Sequence, residues 1–454
     1  MSNKPKIFLL SFEIVPTADN QSKSIVESGY TICLVCSEYP EDAYRKAKFF
    51  VEKADWKIIK MNEDFPPFPI EVTEEALSEN TENLRLYRSA QEKGIAIDYI
   101  VAAKEGTGIQ KPTMLPHKPS YQFDLNNSLK RQKQLSDKGR CLHYENGEVC
   151  NEVINAHSIQ KSQALSAIAE NGHVYMPLGD INKGIIYKKR GIEKQASTFL
   201  GFCKKHDNQL FEPIDNLPLI PTEQQVFLYA YRSLCRELFV KQNAKDSIDF
   251  VIETTQANKA IKELNAGIKI GTEFSLKQLK IHKQHYDDSL KNKRYSDIQY
   301  TLFISKQKPN VVFSGLLLPD FDFSGRTLQD LGNHASNLEL ITMCFAPMNN
   351  DEWGFLLAWH KTSSKVCKEF MGSLATRISQ SSNVGDLLFR LIISNCENIA
   401  FAPTWWDGLT EDARTHIKQR AESMVNMLTL VKSDYLMTGL EGIVNWEFTN
   451  VICN

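Results

Sequence analysis

The sequence predicts an α+β protein made of more than one domain. Short apolar runs rich in β-branched residues, which are typical of strands, occur in both halves of the chain. They alternate with longer stretches in which apolar residues recur at helical spacing. A length of 454 residues favours two to four domains. We therefore predict a small N-terminal α+β domain, a central unit rich in Cys and His and a larger C-terminal α+β domain.

The N-terminal domain is predicted to span residues 1–103. Its elements are expected in the order β-β-α-β-α-β: strands at 6–15 and 30–37, a helix that begins at Pro40, a strand over WKIIKM, a helix over about 74–92 and a strand over AIDYIVAA. Two acidic residues follow Pro40 in the first helical turn, where they suit the helix dipole. Nothing in this domain has the spacing of a catalytic site.

The rest of the chain divides into three further segments. Residues 104–140 contain Gly, Pro and a basic run, which predicts a linker. Residues 141–217 have little apolar periodicity but many Cys and His, and they are predicted to form the zinc-binding domain. Residues 218–454 form the C-terminal α+β domain, in which Thr222 is predicted to cap the first helix. Further elements are expected as helix to about 293, strands over IQYTLFIS, NVVFSGLLL, NLELITMCFA and WGFLLAW, and helices near 363–378, 384–395 and 409–431.

Charge and cysteine content exclude several classes of protein. The net charge of -2 excludes a globally basic nucleic-acid coat, although a local basic patch remains compatible. No apolar run has the roughly 18 residues that a membrane span needs, so we expect no membrane partner. The first residues are interpreted as a strand and not as a signal peptide, which predicts a cytoplasmic protein. Ten cysteines are too sparse for a disulfide scaffold. The pair Cys33 and Cys36 lies in the apolar run TICLVC, which favours core packing over a redox or zinc role.

Four residues in the central segment have the chemistry of a structural zinc site. Cys141 and Cys150 are joined by a short turn containing Asn-Gly, which indicates a hairpin that would point two thiolates at one centre. Cys203 and His206 stand in a C-x2-H arrangement that presents two ligands from one turn. Together they offer a tetrahedral Cys3His set. The alternatives are that these are unrelated thiols with His206 on a surface helix, or that His143 ligates zinc in place of Cys150.

The stretch EVINAHSIQ, between the two pairs, alternates like a strand and ends near His157. A cysteine pair, a strand ending in histidine and a ligand pair opening a helix resemble the HNH family of nucleases, which share the ββα-metal fold. The resemblance covers about 70 of the 454 residues. It implies that His157 is the general base and that Asp207 or Asn208 holds a catalytic Mg²⁺ or Mn²⁺ on the scissile phosphate. The family's asparagine is replaced here by ASTFLGFC, in which the candidate substitutes are Ser197 and Thr198.

Local charge favours a polyanionic partner for the central segment. Residues 130–205 contain 13 Lys/Arg and 7 Asp/Glu, an excess of six positive charges. The densest part is YKKRGIEK, in which Lys188, Lys189 and Arg190 are candidate nucleic-acid contacts beside Tyr187. The alternative is a solvated insertion loop.

These observations predict a metal-dependent HNH-like nuclease that hydrolyses phosphodiester bonds of DNA or RNA. By analogy of architecture alone, it suits bacterial defence against foreign nucleic acid. The alternative is a non-catalytic zinc-containing module that binds nucleic acid or protein, in which His157 pairs within the fold. The sequence leaves open whether the chain assembles with a second copy or with an activating partner.

Overall fold

The computed structural model describes residues 5–20, 23–24, 26–62, 69–77, 81–103, 131, 133–135, 137–147, 149–180, 184–254, 259–380, 383–425 and 431–454. The chain contains both helices and antiparallel sheets, so the predicted α+β class is confirmed. Contacts divide it into two compact units, Met1–Leu129 with Ile248–Ile268, and Lys130–Ser247 with Lys269–Asn454. Most of the predicted linker, residues 104–130, lies outside the described residues. None of the helices in the described residues combines the length and the apolar character that a bilayer span requires.

The first unit contains an antiparallel sheet and two helices. Its elements are β1 (Lys6–Leu10), β2 (Phe12–Pro16), β3 (Val26–Ser37), α1 (Pro40–Lys53), β4 (Trp56–Met61), β5 (Ile70–Val72), α2 (Thr81–Lys93) and β6 (Ile95–Ala103). The sheet has the order β4-β2-β3-β1-β5, and β6 also pairs with β3. The predicted order of elements is confirmed, except that the first predicted strand is divided into β1 and β2 and that the short β5 is added. The helix α1 buries Ala43, Ala47 and Val51, which share one helical face.

The second unit is larger and begins with the Cys- and His-rich segment. Its elements are β7 (Val153–His157), α3 (Ser166–Ile168), β8 (His173–Asp180), β9 (Gly184–Gly191), β10 (Thr198–Cys203), α4 (Lys204–Asp215), α5 (Glu223–Thr254), α6 (Lys259–Lys291), β11 (Ile298–Ser305), β12 (Val311–Leu317), β13 (Ile341–Pro347), β14 (Trp353–His360), α7 (Ser364–Gln380), α8 (Val384–Asn395), β15 (Ile399–Phe401), α9 (Pro403–Gly408), α10 (Glu411–Val425) and β16 (Phe448–Cys453). The C-terminal end of α5, from Ile248, and the N-terminal end of α6, as far as Ile268, belong to the first unit. Thr222 caps α5 as predicted, since its hydroxyl accepts the N–H of Gln225 at 3.2 Å.

One eight-stranded sheet joins the central and C-terminal segments. Its order is β16-β11-β14-β13-β12-β15-β8-β9, while β7 and β10 form a separate two-stranded sheet. Strands β8 and β9 come from the segment 141–217, yet they continue the sheet of the C-terminal segment through the pair Phe401–Tyr175. The predicted boundary at residue 217 therefore falls inside a single compact unit.

The central strands of this sheet are buried on both faces. Phe303, Phe345 and Phe355 point into one core, whereas Leu302 and Leu356 point into the other. The second core also contains the apolar residues of β10 and α4 and the inner face of α5. The two-stranded sheet and α4 are therefore held by packing against α5, and this packing positions the candidate site.

Candidate metal and catalytic site

Strands β7 and β10 are antiparallel, and helix α4 follows β10 without an intervening loop. In the register, Val153 lies opposite Cys203 and His157 lies opposite Thr198. Cys203 ends the strand in an extended conformation, and His206 lies one turn into the helix. Because the chain turns from strand to helix at Cys203, both side chains face the same point, as the C-x2-H spacing predicts.

The segment that carries Cys141 runs beside β10. The N–H groups of Arg140 and Leu142 donate to the carbonyls of Leu200 and Gly201 at 2.8 and 2.9 Å. Gly139 precedes this contact with a φ of +64°, and a Cβ there would lie 2.9 Å from Leu200 Cβ. A side chain at residue 139 would therefore push the cysteine segment away from the strand.

Two successive turns connect Cys141 to Cys150. The N–H of Asn146 donates to the carbonyl of His143 at 3.0 Å, and the N–H of Cys150 donates to the carbonyl of Gly147 at 3.0 Å. The described residues between the two cysteines form no strand, so the predicted hairpin is wrong. The predicted effect is nevertheless present, because the turns bring both thiols to one centre.

The four predicted ligands converge. The Nδ1 atom of His206 lies 3.4 Å from Sγ of Cys141, 3.6 Å from Sγ of Cys150 and 3.4 Å from Sγ of Cys203. All four donor atoms lie within 4.8 Å of one another. Zinc–sulfur and zinc–nitrogen bonds of about 2.3 and 2.0 Å in a tetrahedron place nitrogen about 3.5 Å from each sulfur. The cluster therefore fits a tetrahedral metal ion such as zinc.

His143 does not belong to this four-donor group. Its ring stacks on that of His206, with centroids 4.0 Å apart, and its Nδ1 accepts the N–H of Glu145 at 3.1 Å. The alternative in which His143 replaces Cys150 is therefore not supported. Burial raises the pKa of Cys141 to about 11, so a thiolate there requires a cation beside it.

His157 lies at the end of β7 and is half-buried. Its Nε2 donates to the carbonyl of Ile192 at 2.8 Å, an assignment that places the lone pair of the neutral ring on Nδ1. Burial lowers the pKa of His157, the hydrogen bond to Ile192 opposes this, and the positive charges of Lys161 and Arg232 add to the lowering. The imidazole is therefore neutral at pH 7, which is the protonation state that a general base needs.

Asp207 follows His206 on α4 and is buried, whereas the neighbouring Asn208 is exposed. Among the described residues, no hydrogen-bond partner lies in reach of Asp207 Oδ1. Burial raises the pKa of this carboxyl to about 6; the charge of Arg232 opposes the rise and that of Asp215 adds to it. Within the described residues, neither Asp207 nor His157 belongs to a group of three metal-donor side chains.

Arg232 on α5 is a residue that the sequence reasoning missed. Its guanidinium is buried and binds both carboxylate oxygens of Asp215 at 2.7 and 2.8 Å. It also lies over the ring of Phe211, 4.1 Å from the centroid. The available signal was a charged residue within the apolar stretch VFLYAYRSLC, since a charge at such a position needs a buried partner.

The two candidate substitutes for the family's asparagine are already hydrogen-bonded within the fold. Ser197 Oγ accepts the N–H of Ile159 at 2.9 Å, and Thr198 Oγ1 donates to the carbonyl of Lys194 at 3.3 Å. Among the described residues, neither hydroxyl forms a hydrogen bond with His157.

Lys188, Lys189 and Arg190 lie on β9, the edge strand of the large sheet, whereas Lys194 lies in the turn that follows this strand. Lys188 is exposed, whereas Lys189 pairs with Asp407 at 3.5 Å and lies over the ring of Tyr175. The strand ends at Gly191, directly before the carbonyl of Ile192 that contacts His157. At roughly 3.3 Å per residue, Arg190 lies about 7 Å along the chain from that contact.

Comparison with known proteins returned no relative. No family model, no curated protein and no solved structure matches the chain.

Proposed function

We propose that the central segment is a metal-dependent, HNH-like nuclease unit that hydrolyses phosphodiester bonds of DNA or RNA. The observation that carries the proposal is the order β7-β10-α4 with the Cys/His cluster at the start of the helix and His157 at the end of the first strand. This is the order of elements that the ββα-metal fold requires. The 40 residues between His157 and Thr198 form an insertion that contains β8 and β9.

In this proposal, Zn²⁺ is held by Cys141, Cys150, Cys203 and His206 and has a structural role. Four protein ligands complete a tetrahedron and leave no open position for a substrate. The metal would tie the turns of residues 141–150 to the junction of β10 and α4. Such a link suits a unit with only two short strands and one helix, which has little core of its own.

The proposed chemistry begins at Nδ1 of His157. This nitrogen accepts a proton from water while the water oxygen bonds to phosphorus; the bond from phosphorus to the leaving oxygen breaks, and the leaving oxygen keeps the electron pair and takes up a proton from solvent. The hydrogen bond from Nε2 to the carbonyl of Ile192 fixes the tautomer and the ring orientation during this step. A positioned base of this kind contributes about 10²–10⁴-fold to rate.

The second proposed ion is Mg²⁺ or Mn²⁺ near Asp207 and Asn208. Mg²⁺ is typically bound through one or two carboxylates together with water and substrate phosphate, so a single buried carboxylate is an adequate protein ligand. When bound, such an ion neutralises charge on the phosphate and the leaving oxygen. The unpartnered Oδ1 of Asp207 supports this role, because a buried acceptor without a donor is costly.

The basic strand β9 is the proposed backbone contact. Lys188 and Arg190 alternate with Lys189 along the strand, so the two faces differ. Lys189 is partly neutralised by Asp407, which leaves Lys188 and Arg190 as the stronger candidates for phosphate contacts. Both residues precede Ile192, whose carbonyl contacts His157, so phosphates bound to them would place a nucleic-acid strand near His157. A role in bacterial defence stays part of the proposal and rests on analogy.

Three observations favour the alternative of a non-catalytic zinc module. Asp207 is 9 % exposed, His157 is hydrogen-bonded to the main chain, and the hydroxyls of Ser197 and Thr198 are engaged elsewhere. In that module, both predicted catalytic residues would serve the fold, and the zinc site and basic strand would serve binding of nucleic acid or protein.

A cleavage assay separates the two functions. The protein is incubated with plasmid DNA and with total RNA, with EDTA or with added Mg²⁺ or Mn²⁺, beside the variants His157→Ala and His173→Ala. His173 is a matched control because it is exposed and donates to the main chain of Asn171 at 2.7 Å. We expect metal-dependent cleavage that His157→Ala abolishes and His173→Ala preserves. Cleavage that survives in His157→Ala refutes the assigned base, and no cleavage of either substrate with zinc still bound favours the binding module.

A further inference from the structure

A second group of donors adjoins the Cys/His cluster. His143, Glu145 and His206 each place one donor atom within 4.8 Å of the others. The rings of the two histidines are stacked with an angle of 12° between their planes. His206 is 3 % exposed, and its Nε2 has no hydrogen-bond partner among the described residues. Since a buried N–H without an acceptor destabilises the folded state, this atom requires a partner.

The positions of the ring protons identify what that partner must be. The Nδ1 atom of His206 faces three thiols at 3.4–3.6 Å, so it supplies the metal lone pair and the ring proton resides on Nε2. His143 Nδ1 accepts the N–H of Glu145, so the neutral ring of His143 likewise carries its proton on Nε2. Both rings are therefore hydrogen-bond donors at Nε2. The third member of the group must supply a hydrogen-bond acceptor.

Glu145 supplies that acceptor. Its side chain is exposed, and one carboxylate oxygen lies within 4.8 Å of a donor nitrogen of each histidine. We propose that the Glu145 carboxylate accepts the Nε2–H of His206 and acts as a positioning residue for the metal ligand. Carboxylate–histidine–metal arrangements of this kind fix the ring and raise the basicity of the ligating nitrogen.

The same atoms argue against a second metal ion in this position. A cation bound to His206 Nε2 would require the ring to lose its remaining proton while Nδ1 ligates the first metal. A hydrogen bond to carboxylate needs no such change. The inference rests on the metal site and not on nuclease activity, so it stands for either proposed function.

The test compares Glu145→Ala with Glu152→Ala. Glu152 is a matched control because it is exposed and lies two residues beyond Cys150. Its main-chain carbonyl accepts the N–H of Lys204, and the substitution retains this hydrogen bond. Zinc affinity is measured by competition with a chromophoric chelator, and ligand geometry by the absorption of the Co²⁺-substituted protein. We expect Glu145→Ala to lower affinity about 10- to 100-fold with the cobalt bands unchanged, and Glu152→Ala to match wild type. Glu145→Gln is expected to recover part of the affinity, because its amide oxygen still accepts a hydrogen bond.

Three results would overturn the proposal. An affinity of Glu145→Ala equal to that of Glu152→Ala would remove the role of the carboxylate. Altered cobalt bands in Glu145→Ala would mean that the substitution disturbs the loop itself. Two metal equivalents in wild type, one of them lost in Glu145→Ala, would assign the group to a second ion. A wild-type protein that binds no zinc would instead refute the metal site on which this inference rests.

Discussion

Replacing Cys203 by serine is the sharpest test of the metal site. Cys203 is 0 % exposed and its Sγ lies 3.4 Å from Nδ1 of His206. A serine hydroxyl stays protonated near neutral pH and does not replace a thiolate in binding zinc. We expect Cys203→Ser to lose one of four ligands and, with it, stoichiometric zinc.

The expected size of the effect follows from binding linkage. Free zinc at 100 times its dissociation constant stabilises the folded state by about 2.7 kcal/mol. The site lies in a unit of about 300 residues, for which an unfolding entropy of roughly 2.1 cal/mol/K per residue converts 2.7 kcal/mol into a rise of about 4 °C in the melting temperature. Cys203→Ser should lose this contribution in addition to any cost of burying a hydroxyl.

Cys367→Ser controls for the buried hydroxyl. Cys367 is also 0 % exposed, lies on α7 outside the four-donor group, and its Sγ is 3.4 Å from the carbonyl of Leu340, a partner that serine retains. We expect one zinc equivalent in wild type and in Cys367→Ser, and a melting temperature that EDTA lowers in both. Cys203→Ser should contain no zinc and should not respond to EDTA.

Elemental analysis and thermal unfolding with and without EDTA measure both quantities. A Cys203→Ser protein that keeps a full zinc equivalent would refute the ligand assignment. A loss of stability on adding EDTA that is as large in Cys203→Ser as in wild type would refute the energetic argument.

Three further predictions concern charge around the site. Replacing both Lys188 and Arg190 by Gln should lower the slope of log affinity for nucleic acid against log salt by about two, whereas Lys189→Gln should change it less; equal effects would contradict the assignment. Burial raises the pKa of Asp207 from 3.8 to about 6, so the folded state binds an extra proton in this range and stability falls as pH rises through it. Asp207→Asn should therefore be more stable than wild type at pH 7.5 but not below pH 4. Urea unfolding of EDTA-treated protein measures the difference, and a difference that does not change with pH would exclude the raised pKa of Asp207 as its cause. Arg232→Met should cost about 1.5–3 kcal/mol in chemical denaturation, since it removes two hydrogen bonds between a buried guanidinium and the partly exposed carboxylate of Asp215, and a cost below 1 kcal/mol would show that the pair is dispensable.

Local pattern was sufficient for most elements and for the four candidate metal ligands. Alternation of apolar residues gave the strand that ends at His157, and helical spacing after Thr222 gave α5, because both periodicities follow from backbone geometry. The ligands could be found because C-x2-H spacing presents two side chains from one turn, whatever the rest of the fold does. The hairpin between Cys141 and Cys150 failed because the Asn-Gly signal favours a turn but does not provide a partner strand.

Tertiary structure decided that the two strands of the insertion extend the large sheet, and it decided which charged side chains are buried. The docking of β8 and β9 beside β15 depends on sheet-edge hydrogen bonds that the local pattern does not specify. The pairing of Arg232 with Asp215 and the burial of Asp207 arise because α5 packs across α4, which joins residues far apart in the chain. Ligand type and spacing are encoded within a few residues, whereas burial, pKa and charge pairing are properties of surfaces that only folding brings together.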